Sequence, residues 1–513
     1  MKLVGGSISS MNSKEERNLL KSQELCDYIN CIKQRKKNDI YSIINTTLIA
    51  DPYSTNFPKD FFFERVRRQN KLATFFINTV EFYARSFIHF LNYIQTFIYY
   101  KFLYRKKYQV MQQDFILDVY VSIDRTNKEG VFNEFFFSSL YSILRKRQVN
   151  YVFIPRLHDF SANPFKLHYQ LRNFFKIINK DSNHFLFEFE LLSVKDFLYL
   201  LWLVICYPFK TLRLIIKEEQ KQDISFNTHL LKDISKQGVN SFSRYILGKN
   251  IANIANINKI YSWSEFQSIE RSFNYSIRKN GNIEVYACQF WVSYPVYFSS
   301  VHIQDIDETN NFAPSKVLVN GCHYLLKRKK VDYQLGVSLR YQKLFKYQKQ
   351  NTESNIVVLG SHLIDETRGI LRLVNNFDKV LFKSHPNVNI NDFQSVMGKN
   401  IKVVNENIYD LFPKATLIIG GATGALVEAV ACGVSVIVVA EESELTINPL
   451  TIMGKSKIWD IAFSKGEMKQ KSKQLIEFRN KNMNEINDIA IWYKNNLFIE
   501  PSEENIVKTF ELK

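Results

Sequence analysis

The stretch Thr416–Ala440, TLIIGGATGALVEAVACGVSVIVVA, constrains the fold more than any other part of this chain. Thr416 to Ile419 is a β-branched apolar run, the pattern of a buried strand. Gly420 and Gly421 allow a sharp backbone turn where a side chain would clash. Thr423 is positioned to cap a helix that starts there, and Gly433 to end it. Val434 to Val439 is almost wholly apolar, as in the interior of a parallel sheet. Such a strand–turn–helix aims free backbone N–H groups and a positive helix end at one point, which suits a phosphate.

The surrounding sequence repeats this alternation. Strands are expected at Asn355–Gly360, Lys379–Lys383 and Ile401–Val404, with helices at Glu366–Asn376 and Ile408–Pro413. An earlier series has strands at Phe115–Ile123, Tyr151–Pro155, Lys259–Ser262, Ile283–Gln289 and Lys316–Val319. Its helices are expected at Val131–Arg147 and Ser264–Lys279. This gives an α/β chain of two doubly wound, Rossmann-like domains. The expected division is a helical N-terminal region 1–110, a first sheet domain 111–345, a second at 350–495 and a C-terminal helix 496–513. Lys327 to Thr352 reads as a linker plus a helix, and Ile489 to Lys513 as a helical tail.

At 513 residues the chain exceeds one core, and its net charge of +18 calls for an anionic partner. The Lys/Arg runs are short and no zinc-finger spacing occurs, which disfavours nucleic acid and leaves phosphorylated substrates or an anionic membrane. Six scattered cysteines without CxxC suit reduced, mostly buried thiols in the cytoplasm. The start lacks the apolar core of a signal peptide. Phe197–Phe209 is apolar but falls short of the roughly 20 residues needed to span a bilayer. Phe75–Tyr104 is aromatic but punctuated by Glu81, Arg85, His89 and Asn92. Both read first as buried helices. The rival reading is interfacial docking helped by Lys101, Arg105, Lys106 and Lys107.

Ligands of doubly wound sheets bind beyond the carboxyl ends of the strands. Three loops should share that rim in the second domain: Gly360-Ser361-His362, Lys383-Ser384-His385-Pro386-Asn387 and the glycine turn. Lys383 and His385 offer donors to phosphate oxygens, and His385 can carry a proton. Glu428 can accept hydrogen bonds from a ribose diol, or be a plain solvated helix residue. Ser361, His362, Glu366 and Thr367 either close on a substrate or cap a helix. Asn448-Pro449 ends an acidic loop, Glu441 to Glu444, near the same rim. In the first domain Glu265 follows a strand, where a general base can sit. Trp263 precedes it, and Arg271, Asn274 and Arg278 share one helix face, whose plain alternative is a salt-bridged surface. Asp305-Ile306-Asp307, with His302 and Glu308 nearby, is a weak metal motif, and no metal is expected.

Two doubly wound domains, an HP loop and the G-G-x-T-x-x-x-x-E-A-x-x-x-G turn-helix resemble a GT-B glycosyltransferase, its two domains facing a cleft. The chain is similar, more narrowly, to bacterial lipopolysaccharide and capsule transferases, including those that move Kdo or sialic acid from CMP-sugars. YSWSEFQSIERSFNYSIRKNG, VYACQF and PSKVLVNG resemble the middle of such proteins. The resemblance implies a nucleotide-sugar donor held by Ser361, Lys383, His385, Gly420, Gly421, Thr423, Gly424, Glu428 and Asn448. It further implies catalysis by His385 and Glu265, an acceptor side at Trp263, Arg271, Asn274 and Arg278, and no cofactor. The acceptor is expected to be a growing surface polysaccharide or lipid-linked glycan, at the inner face of the cytoplasmic membrane. Three rival readings keep the same fold: a nucleotide-sugar epimerase, a teichoic-acid-type polyol-phosphate transferase, and a non-catalytic glycan-assembly partner.

Overall fold

The computed structural model describes residues 71–106, 115–123, 136–219, 239–254, 257–293, 303–348, 355–440 other than 387, and 447–512. Shorter described pieces lie at 23–31, 34, 39–41, 44, 132, 134, 230–232 and 234–236.

Two parallel sheets of six strands each organise the chain. The first contains β1 (Phe115–Ser122), β2 (Tyr151–His158), β3 (Lys259–Trp263), β4 (Glu284–Gln289), β5 (Lys316–Val319) and β6 (Tyr333–Leu335). Its spatial order is β2-β1-β3-β4-β5-β6. The second contains β7 (Asn355–Leu359), β8 (Val380–Lys383), β9 (Ile401–Val403), β10 (Ala415–Gly420), β11 (Ser435–Val439) and β12 (Trp459–Ala462). Its order is β12-β11-β10-β7-β8-β9. Each sheet therefore has one point where the winding reverses, between β1 and β3 and between β7 and β10, and a crevice opens there at the carboxyl ends. The fold is the expected GT-B class, two Rossmann-like sheets with a helical N-terminal extension.

The helices used below are α1 (Lys71–Leu103), α2 (Ser138–Lys146), α3 (Pro164–Lys180), α4 (Val194–Glu219), α5 (Asn240–Ala252), α6 (Ser268–Asn280), α7 (Ile364–Val374), α8 (Ala425–Ala431), α9 (Lys465–Lys481), α10 (Met483–Leu497) and α11 (Glu503–Thr509). The segment 327–352, expected to be a linker plus a helix, also supplies the edge strand β6. Helix α2 starts seven residues later than its expected Val131, with Phe136 and Phe137 ahead of it packed on Trp263. The cysteines are less buried than expected: only Cys288 and Cys432 are buried, whereas Cys31 and Cys322 are exposed.

Apolar clusters cover both faces of each sheet. Strand β11 is buried at every position, as its apolar run after Ser435 requires. The chain crosses between sheets twice. On the first crossing, Tyr341 joins the second core, its hydroxyl accepting from the Val292 N–H at 3.2 Å. On the second, the Ile499 N–H donates to Ser338 Oγ at 2.9 Å, and Ser338 N–H returns a bond to the Ile499 carbonyl at 3.0 Å. Helix α11 then delivers Phe510 into the first core, 4.9 Å from the Tyr261 ring.

Candidate functional site

Parallel pairing of β10, β7 and β8 brings the glycine turn, the Ser361 loop and the His385 loop to neighbouring positions on one rim. The Gly360 N–H donates to the Lys383 carbonyl at 2.9 Å, and the His362 and His385 rings meet edge to face at 6.2 Å. Nearby protein partly desolvates the His362 imidazole, although the residue is exposed at the surface, and the half-buried Lys383 amine; both are lowered from their ordinary ranges, with the charge of Glu406 opposing the shift at Lys383. An anion bound beside them would favour the charged form of both groups. Asn387 and the acidic loop 441–444 lie outside the described residues. Asn448 accepts from the Leu450 N–H at 2.9 Å, a local turn bond.

The glycine turn already holds an anion. Both oxygens of the Glu366 carboxylate accept from the Ala422 N–H, at 3.0 and 3.1 Å, and Ser361 Oγ donates to the same carboxylate. A Cβ at Gly421 would overlap that carboxylate, so the second glycine is required by side-chain contact as well as by the turn. Gly420 is tight against Leu426 and the Leu359 carbonyl. Ser361 is fully buried, and its Oγ also accepts from the Leu363 N–H at the start of α7. Thr423 does not cap α8. Gly424 is the cap residue and no side-chain bond closes the helix end, because the Thr423 N–H has turned back onto the Gly421 carbonyl at 2.8 Å. Gly433 does terminate that helix, in the left-handed region at φ 74°.

Glu428 projects from α8 and receives the Tyr409 hydroxyl. It is partly exposed, yet its surroundings desolvate the carboxyl enough to push it up to about 7. It is therefore not the plain solvated helix residue that was the alternative.

In the first sheet, Glu265 stands at the end of β3, beside the β1–β3 crevice. Phe266, next to it, adopts the left-handed backbone region at φ 55°, a conformation a large side chain rarely takes. Burial, followed by repulsion from Glu270, raises the Glu265 carboxyl to about 7, while the Trp263 indole, Arg340 and Arg156 pull it down. Gln267 Nε2 donates to Glu265 at 3.0 Å. Beneath lies a buried ionic network that sequence reading missed. Arg244 Nη2 donates to Asp118 at 2.6 Å, Ser262 Oγ donates to Asp118 at 2.7 Å, and Arg156 bridges to Glu270. These partners come from three strands and two helices, so no local motif marks them.

Trp263 is fully buried against Phe136, with ring centroids 4.3 Å apart. The shared face of α6 exists, but its residues are held by protein. Arg271 is buried over the Phe266 ring at 4.2 Å, Asn274 donates to the Phe312 carbonyl at 2.9 Å, and Arg278 grips both oxygens of Glu308. The salt-bridged alternative describes Arg278. The Asp305–Asp307 string closes a helix start: Asp307 accepts from the Gln304 N–H, and Asp305 from the N–H groups of Lys329 and Lys330. His302 lies outside the described residues. Among the described residues no group of three His, Cys, Asp or Glu is placed to hold a metal ion.

Arg340 is the second residue that sequence reading missed. It is exposed, on the first crossing between the sheets, with its guanidinium 5.4 Å from both the Phe136 and Trp263 rings. Its charge favours the ionised form of Glu134 and Glu265 from the first sheet and of Glu428 from the second. Glu134 is buried, bound by the Phe137 N–H at 3.0 Å and by the Tyr141 hydroxyl, and is likewise raised to about 7 by desolvation. One cation thus favours the ionised forms of three carboxyls, each pushed up to about 7 by desolvation, that come from both halves of the molecule.

No protein-family model matches the sequence, and no curated protein matches it. Among solved structures the chain is similar to UDP-GlcNAc 2-epimerase from Neisseria meningitidis, at 12% identity, over 78% of this chain and 100% of that one, with a TM-score of 0.39. It is similar to MurG from Acinetobacter baumannii at 11% identity, 78% and 100% coverage, and a TM-score of 0.39. It is also similar to UDP-GlcNAc 2-epimerase from Methanocaldococcus jannaschii at 12%, 78% and 99%, with a TM-score of 0.41.

Proposed function

We propose that this protein is a glycosyltransferase that moves a sugar from a nucleotide-sugar, with a CMP-sugar favoured, to a growing surface polysaccharide or lipid-linked glycan. The work is done at the inner face of the cytoplasmic membrane and needs no metal. The observation that carries the reading is that Arg340, on the crossing between the sheets and 5.4 Å from the Trp263 ring, favours the ionised form of Glu265 from the first half and of Glu428 from the second. That arrangement suits a reaction in which donor and acceptor sit on different domains.

In this reading the nucleotide lies in the β7–β10 crevice, with its ribose on Glu428. Glu265 takes the proton from the acceptor hydroxyl, whose oxygen attacks the anomeric carbon. The bond from that carbon to the nucleotide phosphate breaks, and the phosphate leaves with the electron pair. Lys383, His385 and the turn N–H groups stabilise the charge it acquires. A base near pKa 7 is well matched to neutral pH.

Thermal shift with CMP, UDP, GDP and CDP tests the donor side. One nucleotide should raise the melting temperature, and His385→Ala should abolish the shift without lowering the melting temperature of the free protein. Glu265→Gln should retain that shift and lose roughly 100-fold or more in turnover. Stabilisation by none of the four nucleotides, or full turnover in both variants, would overturn the assignment.

A further inference from the structure

The helical extension presents an apolar surface that neither sheet needs. Helices α1 and α4 pack side by side and antiparallel: Phe75 meets Phe209, Phe82 meets Tyr207, and Tyr93 meets Phe197. Their contact faces are fully committed, with Phe82, Leu200, Leu203 and Tyr207 closing a third apolar core with pieces of the first fifty residues. Yet each helix carries a second apolar stripe facing solvent. On α1 it includes Phe76, Phe87 and Phe102, the last 81% exposed, and on α4 Leu198, Trp202 and Phe209. A helix of 33 residues is about 50 Å long, so the stripe on α1 runs far beyond the scattered apolar residues of an ordinary surface. Phe165 and Tyr169, at the start of neighbouring α3, are exposed as well.

Charge identifies the occupant. The sequences of α1, α3 and α4 carry eleven Lys or Arg against four Asp or Glu, and α3 has no acid at all. Lys101 and Arg105 follow the stripe at the end of α1, and Lys195 and Lys210 flank that of α4. Phenylalanine, tryptophan and leucine on one face with lysine and arginine at the margins is the chemistry of a helix lying in the headgroup region of an anionic bilayer. A second copy of this chain would bring the same excess of positive charge against itself. The stretch Val194–Ile216 is long and apolar enough to cross a membrane, but 39% of its most apolar window is buried inside the protein. Crossing would carry Leu200, Leu203, Tyr207 and their packed partners into the hydrocarbon with it.

We infer that α1 and α4 form a docking slab that lies on an anionic membrane leaflet without spanning it. This deepens the membrane location in the proposed function by naming the surface responsible. It is tested without nucleotide or turnover, so the two readings fail separately.

The experiment is flotation of the full-length protein with phosphatidylcholine vesicles, with and without phosphatidylglycerol. The protein should float with the anionic vesicles and do so at least tenfold less with neutral ones or at high salt. The double variant Phe87→Glu/Trp202→Glu should lose binding at least tenfold while keeping the wild-type melting temperature. Lys101→Glu/Arg105→Glu should weaken binding only to the anionic vesicles. Equal flotation of wild type and the apolar double variant would overturn the proposal. So would failure of the wild type to float, or a dimer in sedimentation that the same apolar substitutions dissociate without any vesicle binding.

Discussion

Glu366 is where single-residue chemistry is most exposed to test, because a carboxylate and a phosphate compete for the same Ala422 N–H. A donor phosphate entering the turn must displace the carboxylate or share the space with a like charge. Glu366→Gln removes that charge and keeps the shape. Nucleotide affinity measured by calorimetry should then rise by roughly tenfold, about 1.4 kcal/mol, well inside what one charge at contact distance can supply. Weaker binding would mean that Glu366 supports the ligand rather than standing in for it. The second test at this scale is pH. The base proposed at Glu265, raised to about 7, would work only when ionised, so kcat/KM should climb as pH rises through 7. Arg340 favours the ionised form, and Arg340→Ala must therefore raise this carboxyl and move the acid limb to higher pH. The move should be roughly half a pH unit, because an exposed guanidinium is screened by solvent and salt. Gly421 was legible in the sequence because only a glycine relieves a clash at such a turn. Arg340 was not: nothing in GVSLRYQK says that the chain is crossing between two sheets there.

Strands were legible where runs of β-branched apolar residues mark them. Ten of the twelve strands lie where β-branched apolar runs place them, since a parallel strand covered on both faces has no polar positions to blur its pattern. The two missed strands, β6 and β12, are short edge strands interrupted by Gln334 and Asp460, without the pair of β-branched residues, Ile401 and Val403, that marks the equally short β9. Helix α9 was missed because only Met468, Ser472, Leu475 and Arg479 are buried along its 17 residues, leaving a mostly charged sequence. Capping distinguishes two helix starts that look alike on paper. Asn163 Oδ1 accepts from the N–H groups of Phe165 and Lys166 at 2.9 and 3.2 Å, so Asn163→Ala should cost about 1 kcal/mol in urea unfolding. Thr423 makes no such bond at α8, and Thr423→Ala should cost less than about 0.5 kcal/mol. A loss above about 1 kcal/mol at Thr423 would restore it as a cap.

For the molecule as a whole, the chain's last turn belongs to the first sheet although it follows the second in sequence. Phe510 is 1% exposed among Tyr261, Phe137 and Phe290, and its carbonyl accepts from the Tyr261 hydroxyl at 3.0 Å. Glu511, beside it, pairs with Lys259 and Lys316 on β3 and β5. The pairs are partly exposed and contribute little, so the aromatic ring is the anchor. Phe510→Ala should lower stability by roughly 3–5 kcal/mol, as for other large aromatic residues removed from a core. The loss should appear in the first sheet's half: tryptophan emission reporting Trp263 and Trp291 should shift at lower urea than that reporting Trp459 on β12, in single-tryptophan variants. Because the Ser338–Ile499 bonds lie upstream of α11, the second crossing itself survives the substitution. If both halves instead lose stability together, the two sheets unfold as one cooperative unit. The double crossing, rather than helix α11, would then set the relative placement of Glu265 and Glu428 on which the proposed transfer depends.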